Sequence, residues 1–210
     1  VMVGVQSIHT VFSTQNVEQR ALSSRFEALA LASQGTATPV PVRGTELTNL
    51  ERDDGTVDTF RTAQWYRVLV RKVNHWAALA DAHPGELLLC SDNDISLLPG
   101  WREALLDSYD AAGRPDLCFQ REGGDDPFFA AFPYNSGFFL MNGSTRVARF
   151  WRHVAARTER EQPFTGDQAV VNSLLVARQT DGEPGCTANP LELRHAHFDT
   201  RLVHGGPSVP

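Results

Sequence analysis

The sequence predicts a single α/β domain. Apolar runs short enough for buried strands, such as Val3–Phe12 and Glu86–Cys90, alternate with longer stretches whose apolar residues recur every three or four positions. No Gly/Ser-rich or Pro-rich linker divides the 210 residues, and no repeat appears, so one large domain is expected over 1–210. With 41% hydrophobic and 21% charged residues, the composition is that of a globule with a real core, not of a disordered chain.

In chain order, Val3–Phe12 is the first strand. Asn16 is placed to cap a helix whose stripe runs through Leu22, Phe26 and Leu29 and which closes at Gly35. The stretch "TPVPVRG" reads as a short second strand, its prolines marking an edge. After a polar loop with Asp53, Asp54 and Gly55, a long helix is expected over Phe60–Ala82. At 100° per residue Trp65, Leu69, Trp76 and Leu79 share one stripe, and Lys72 falls in the middle of it. The strand "ELLLC" then runs into Asp92-Asn93-Asp94, a Pro99-Gly100 turn and a helix from Trp101 to Ala112. "DLCFQ" and "NSGFFLMN" are further strands, and Ser144 is a natural cap for the helix Thr145–Glu159. A short helix opens on Thr165 and Asp167, and the tail "LELRHAHFDTRLVHGGP" reads as strand and loop.

The formal charge of −6, with no Lys/Arg-rich run, argues against nucleic acid or an acidic membrane surface as the main partner. Cys90, Cys118 and Cys186 are odd in number, far apart and lack C-x-x-C spacing, so they read as small core residues and not as a disulfide framework or zinc site. No apolar stretch reaches the ~18 residues of a membrane span and no signal-like segment opens the chain, so a cytoplasmic location is the expectation.

Four places carry candidate chemistry. Asp92 and Asp94 stand one residue apart at the end of a buried strand, where like charges repel and lose hydration. They are either turn residues or paired oxygen ligands for a hard divalent cation. Lys72 either snorkels to the rim of its apolar stripe or reaches the same cleft to hold a phosphate or sugar hydroxyl. Asn135 and Ser136 precede an apolar strand in which Gly137 permits close approach: a turn, or a polar pair at a strand's mouth. Asp167 and Gln168 open a helix, where the carboxylate is either a cap or a ligand-facing group. His195, His197 and His204 crowd the tail, and an imidazole can join carboxylates around Mn²⁺.

In this order the motifs resemble a GT-A glycosyltransferase of the nucleotide-diphospho-sugar transferase group, related to glycosyltransferase families 8 and 77. The pieces that carry the resemblance are the Lys72 helix, "LLLCSDNDISLLPGW" with its D-x-D, "YNSGFFLMNGSTRVARFW", "GDQAVVN" and a C-terminal histidine, spanning Phe60 to His204. The resemblance implies a GT-A-like (Rossmann-like) α/β fold, with a mixed, mostly parallel central sheet flanked by helices. Residues 1–85 would form the nucleotide-binding half and 86–210 the metal, sugar and acceptor half. It implies transfer of a sugar from a nucleotide-diphosphate donor, a UDP-sugar, with retention and with Mn²⁺ or Mg²⁺, to an acceptor it does not identify.

By the same resemblance Asp92, Asp94 and His204 would seat the metal. Lys72 would contact donor phosphate or sugar, Asn135 and Asp167 would meet sugar hydroxyls, and Gln168 would lie near the anomeric carbon. Ser13 and Thr14 would edge the nucleotide. The lysine that usually follows the family's C-terminal histidine is missing after His204. Lys72 or Arg201 could take its part, and His197 is the substitute for His204. Acceptor choice is expected in the loops Arg43–Val57 and Arg121–Pro133.

Two rivals share features of this pattern. A haloacid-dehalogenase-like phosphohydrolase also carries D-x-D after an apolar strand, with its first aspartate as nucleophile, but its lysine follows the motif whereas Lys72 precedes it. A non-catalytic sugar-nucleotide-binding module would use the same fold without turnover.

Overall fold

The alternation read from the sequence is the one the chain adopts. The computed structural model describes residues 4–12, 17–34, 39–47, 63–121, 132–161, 165–176, 193–198 and 203–205. In order they form β1 (Val5–Phe12), α1 (Val17–Ala32), β2 (Val42–Glu46), α2 (Ala63–Ala82), β3 (Leu87–Ser91), β4 (Ile95–Leu97) and α3 (Trp101–Ala111). There follow β5 (Leu117–Arg121), β6 (Tyr134–Asn142), α4 (Thr145–Arg160), α5 (Asp167–Leu175), β7 (His195–Phe198) and β8 (Val203–Gly205).

Six strands build the main sheet in the order β2-β1-β3-β6-β5-β7, while β4 and β8 pair antiparallel in a small second sheet. β2, β1 and β3 are mutually parallel and β7 is parallel to β5, whereas β6 opposes both β3 and β5. That one reversed strand decides where a site can form. β6 begins at the edge where β3 ends, so Tyr134, Asn135 and Ser136 meet the residues that follow Ser91 at the carboxyl edge of the sheet. Open α/β sheets place ligand crevices at that edge, where strand order switches.

Both sheet faces are covered, and the strands read accordingly as continuous apolar runs. Leu88, Cys90, Phe139 and Met141 face a core shared with α2, α4 and α5, while Leu87, Leu89, Phe138 and Leu140 face α1 and α3. In the first layer the buried Trp76 meets the Phe139 ring edge-on at 5.9 Å, and Trp151 lies 4.8 Å from Phe139. Cys90 and Cys118 are free, buried thiols on opposite faces. Ser144 caps α4 by accepting from Val147 N–H at 3.2 Å. β2 is an edge strand, in line with its flanking prolines. The stripe predicted for α1 is shifted: Ser23, Phe26 and Ala30 are buried, while Leu29 faces solvent, because the helical period fixes which residues share a face but not how that face is rotated toward the sheet.

Two polar contacts tie the periphery to the sheet. The buried Asp116 accepts from Arg146 Nη2 at 2.7 Å and from the Arg194 backbone N–H at 2.8 Å, which joins α4 and the approach to β7 to the start of β5. Gly143, just past β6, passes so close to the end of α2 that a Cβ there would collide with the backbone carbonyl of His83 and lie 3.3 Å from that of Ala80. Those carbonyls belong to a hydrogen-bonded helix end and cannot yield as a side chain would. Gly143→Ala should therefore cost about 1–3 kcal/mol, a fall of roughly 2–12 °C in melting temperature by circular dichroism. An unchanged melting temperature would mean that the helix end gives way freely.

His9, in β1, is buried with its Nε2 2.7 Å from Ser7 Oγ. Burial, and after it His75 from α2, His83 just past its end and Arg43 from β2, push its pKa down to about 4. Between there and the ordinary value of 6.5 the unfolded chain binds a proton that the folded chain refuses. Stability is thus full above 6.5 and falls as the pH drops toward 4, by about 3 kcal/mol at most from this group. Urea midpoints at pH 7.5 and 4.5 should differ less in His9→Gln than in the native chain.

Candidate active site

The acidic motif is delivered by the buried strand β3. Past Cys90 the chain emerges at the sheet edge. There Ser91 Oγ donates to the Asp92 carbonyl at 2.8 Å, and the Asp92 N–H donates to the Gly137 carbonyl at 2.6 Å. Asp92 is thereby fixed against the start of β6, with 36% of its side chain exposed, and Asp94 is open to solvent. β4 follows at once and pairs with β8, so that Ser96 stands opposite the backbone of His204, close in the chain to Asp94. The His204 side chain lies outside what is described.

Lys72, the only lysine in the chain, sits on the buried face of α2. It does not snorkel. Its ammonium lies 3.2 Å from Asp92 Oδ1 and 3.0 Å from Asp167 Oδ2, and Asp167 Oδ2 also accepts from Ser136 Oγ at 3.2 Å. The capping reading of Asp167 fails here. Gly166 is the N-cap of α5 with no side-chain bond, and the Asp167 carboxylate, in the helix's first turn, turns inward to Lys72 and Ser136.

The Lys72 ammonium of α2 thus joins the loop after β3 to the first turn of α5, and Ser136 of β6 holds the α5 carboxylate. Burial acts to lower the Lys72 pKa, but the two carboxylates outweigh it and raise the pKa above the ordinary lysine value. Burial pushes the Asp92 carboxyl up to about 6; Lys72 opposes the rise, and Asp94 and Asp167 add to it. Lys72 thus contacts two carboxylates, Asp92 and Asp167, while Asp94 stands exposed two residues beyond Asp92.

Gly137 makes the arrangement possible. A Cβ there would lie 2.5 Å from Asp92 Oδ2 and 3.0 Å from Asn135 Oδ1. The Asp92 carboxylate occupies the space a side chain would need, and it is short and held by Lys72. Gly137→Ala should push Asp92 out of place and reduce donor turnover roughly tenfold or more, as misplacements of about 1 Å do in active sites. Steady-state kinetics would show this, and native turnover would refute the close packing. Asn135 Oδ1 accepts the Gly137 N–H at 2.6 Å, which leaves its amide nitrogen as the donor it can offer a ligand.

Of the polar pair expected at the strand's mouth, Ser136 is the hydroxyl that holds Asp167. One participant was not singled out from the sequence pattern. Asn172, one turn further along α5, is almost fully buried and bonds the backbone of Tyr134. Its signal in the sequence was an amide inside the apolar run "AVVNSLL". Gln168 is half-buried next to Asp167, and its carbonyl accepts from Asn172.

The tail histidines separate. His195 Nδ1 lies 3.0 Å from the Tyr134 hydroxyl, and His197 is exposed on the edge strand β7, where burial and then Arg121 lower its pKa. β5 and β6 stand between β7 and β3, three strand spacings or roughly 14 Å. His197 is therefore not beside the acidic pair, whereas β8 brings His204 next to β4. Ser13, Thr14 and Arg201 lie outside the described residues, as do 48–57 and 122–131 of the two loops expected to choose the acceptor.

The donor set suits a hard divalent ion. Among the described residues no three His, Cys, Asp or Glu side chains are grouped closely enough to hold a metal. Mg²⁺-type sites, however, commonly use one or two carboxylates and take their remaining oxygens from substrate phosphates. Two carboxylates one residue apart at a sheet edge fit that type. Among the described residues no helix is long and apolar enough to cross a membrane.

Comparison with solved structures supports the same fold. The chain is similar to a glycosyltransferase involved in glycosylation of the major capsid of PBCV-1, with TM-score 0.56, 14% identity, and coverage of 92% of this chain and 82% of that one. It is also similar to the glycosyltransferase GlyE of Streptococcus pneumoniae TIGR4, with TM-score 0.51, 13% identity, and coverage of 94% of this chain but only 46% of that one. The chain thus spans about half the length of GlyE. No curated protein sequence matches it. The family profile described as nucleotide-diphospho-sugar transferase matches residues 40–204, which include the Lys72 helix, the D-x-D strand, the Asn135 strand, the Asp167 helix and His204. By that match over most of its length, and with the GT-A architecture described above, the chain belongs to the nucleotide-diphospho-sugar transferase family.

Proposed function

We propose that this chain transfers a glycosyl group from a nucleoside-diphosphate sugar, a UDP-sugar, to an acceptor hydroxyl, with Mn²⁺ or Mg²⁺ held at Asp92 and Asp94. The observation that carries the reading is the buried lysine held between Asp92 and Asp167 at the carboxyl edge of the sheet, with the exposed Asp94 two residues past Asp92, in a chain of this family. The uridine donor and the retained configuration rest on the resemblance of the D-x-D and Asp-Gln motifs alone. A lysine that precedes D-x-D, and the family match itself, leave no ground for the phosphohydrolase reading.

In the reaction the bond from the sugar's anomeric carbon to the diphosphate oxygen breaks, and a bond from that carbon to the acceptor oxygen forms. The acceptor proton passes to the departing phosphate oxygen, so no protein nucleophile is needed. A divalent ion, when bound, supplies positive charge for the diphosphate as negative charge develops on it. Asp92 and Asp94 orient the oxygens that would hold that ion, with the His204 strand alongside. Lys72 bridges Asp92 and Asp167 and holds them at fixed separation instead of reaching the donor itself. Asp167 is then a carboxylate ready to meet a sugar hydroxyl or positive charge at the anomeric carbon, with Gln168 next to it in α5 and the Asn135 amide offered from the start of β6.

Thermal shift with UDP should be small without Mn²⁺ and clearly larger with it. Incubation with a panel of UDP-sugars and Mn²⁺ should release UDP from at least one. UDP binding indifferent to Mn²⁺, together with no turnover of any nucleotide sugar, would identify a non-catalytic binding module instead.

A further inference from the structure

We infer that Asn172 is a positioning residue that sets the register of α5 against β6, and thereby holds Asp167 and Gln168 over the site. The inference deepens the proposed function and rests on it for its kinetic arm only. Asn172 Oδ1 accepts the Tyr134 N–H at 2.9 Å, and its Nδ2 donates to the Tyr134 carbonyl at 2.7 Å and to the Gln168 carbonyl at 2.8 Å. One side-chain amide thus takes both backbone groups of the residue that opens β6, as a neighbouring strand would, at a point beyond the last residue pair between β3 and β6, Ser91 and Phe138.

Val170, Val171 and Leu175 also seat α5, and they are buried. Apolar burial is non-directional, so it selects the helix face and leaves sliding along the strand weakly opposed. The two hydrogen bonds to the Tyr134 backbone have defined directions and oppose it, while the third, to Gln168 within α5, fixes the orientation of the Asn172 amide. The consequence falls at the other end of the same short helix. Asp167 meets Lys72 at 3.0 Å and Ser136 at 3.2 Å, and Ser136 lies two residues beyond the Tyr134 that Asn172 holds. A slide of about 1 Å is enough to break those contacts and to misplace Gln168.

Asn172→Ala tests this in two ways. Because Lys72 is the only lysine, acetylation by an N-hydroxysuccinimide ester, read at Lys72 by mass spectrometry, reports whether its contact with Asp167 persists, and it needs no donor. The rate at Lys72 should rise roughly tenfold or more in Asn172→Ala, and stay near native in Val154→Ala, a core variant in α4 chosen for comparable loss of stability. In the kinetic arm, kcat for UDP release should fall roughly 100-fold while UDP affinity in Mn²⁺ changes by less than about threefold, because Asp92 and Asp94 do not depend on α5 for their backbone.

An unchanged Lys72 rate, or an equal rise in both variants, overturns the inference. So does a loss of UDP affinity in parallel with kcat. If Asn172→Ala does not fold, Asn172→Ser, which keeps one hydrogen bond, is read by the same criteria. A native chain that turns over no nucleotide sugar defeats the proposed function, while the acetylation result still decides the role of Asn172.

Discussion

Lys72→Met should lower the melting temperature by roughly 6–12 °C, the largest stability loss expected from any single change at the site. Removing one partner of a buried ion pair typically costs about 3–5 kcal/mol, and the lower end applies because Asp92 is partly exposed. At 210 residues each kcal/mol corresponds to roughly 2–4 °C. The loss arises from the carboxylates left behind, chiefly Asp167, whose side chain is 8% exposed. Two corollaries separate this cause from lost packing. Lys72→Met combined with Asp167→Asn should recover more than half of the loss. The deficit should also shrink as the pH falls below about 6, since protonating Asp92 removes part of the charge that the missing ammonium no longer pairs. A deficit independent of pH, and additive with Asp167→Asn, would assign the effect to packing.

The second large effect separates activity from stability. Asp94 is exposed and makes no ion pair with Lys72, so Asp94→Ala should change stability by no more than about 0.5 kcal/mol. Turnover of the donor should nevertheless fall by roughly 100- to 1,000-fold, the usual scale when one pre-organised group that stabilises developing charge is removed. Steady-state rates beside melting curves would show the split. A variant that keeps turnover within about threefold of native would remove Asp94 from the mechanism.

Much of the fold was legible because both faces of the sheet are covered. "ELLLC" and "NSGFFLMN" read as strands from their apolar continuity, and Lys72 was conspicuous as a cation in an otherwise apolar helical stripe. Pairing across the chain was not legible. Nothing local reveals that Lys72 meets Asp92, 20 positions away, or that the same ammonium also binds Asp167, because those contacts depend on which helix lies over which strand end.

Strand direction was hidden too. β6 looks like any buried strand, yet its reversal is what brings Asn135 and Ser136 to the end of β3. Asp167 stayed open between a cap and a ligand-facing group for a physical reason: a carboxylate at a helix start is favoured by the dipole whether or not it caps, so its position alone could not decide its rotamer. For the histidines, strand order decided what spacing could not, placing β7 at the far edge and β8 against β4.

The most direct test of the account is Mn²⁺ binding followed by electron paramagnetic resonance in the presence of UDP, on the native chain and on Asp94→Ala. The native chain should take up one equivalent of Mn²⁺ that depends on UDP, and Asp94→Ala should bind it at least about tenfold more weakly. Equal Mn²⁺ uptake by the two proteins, or none by the native chain at saturating UDP, would contradict the claim that this acidic edge seats the ion.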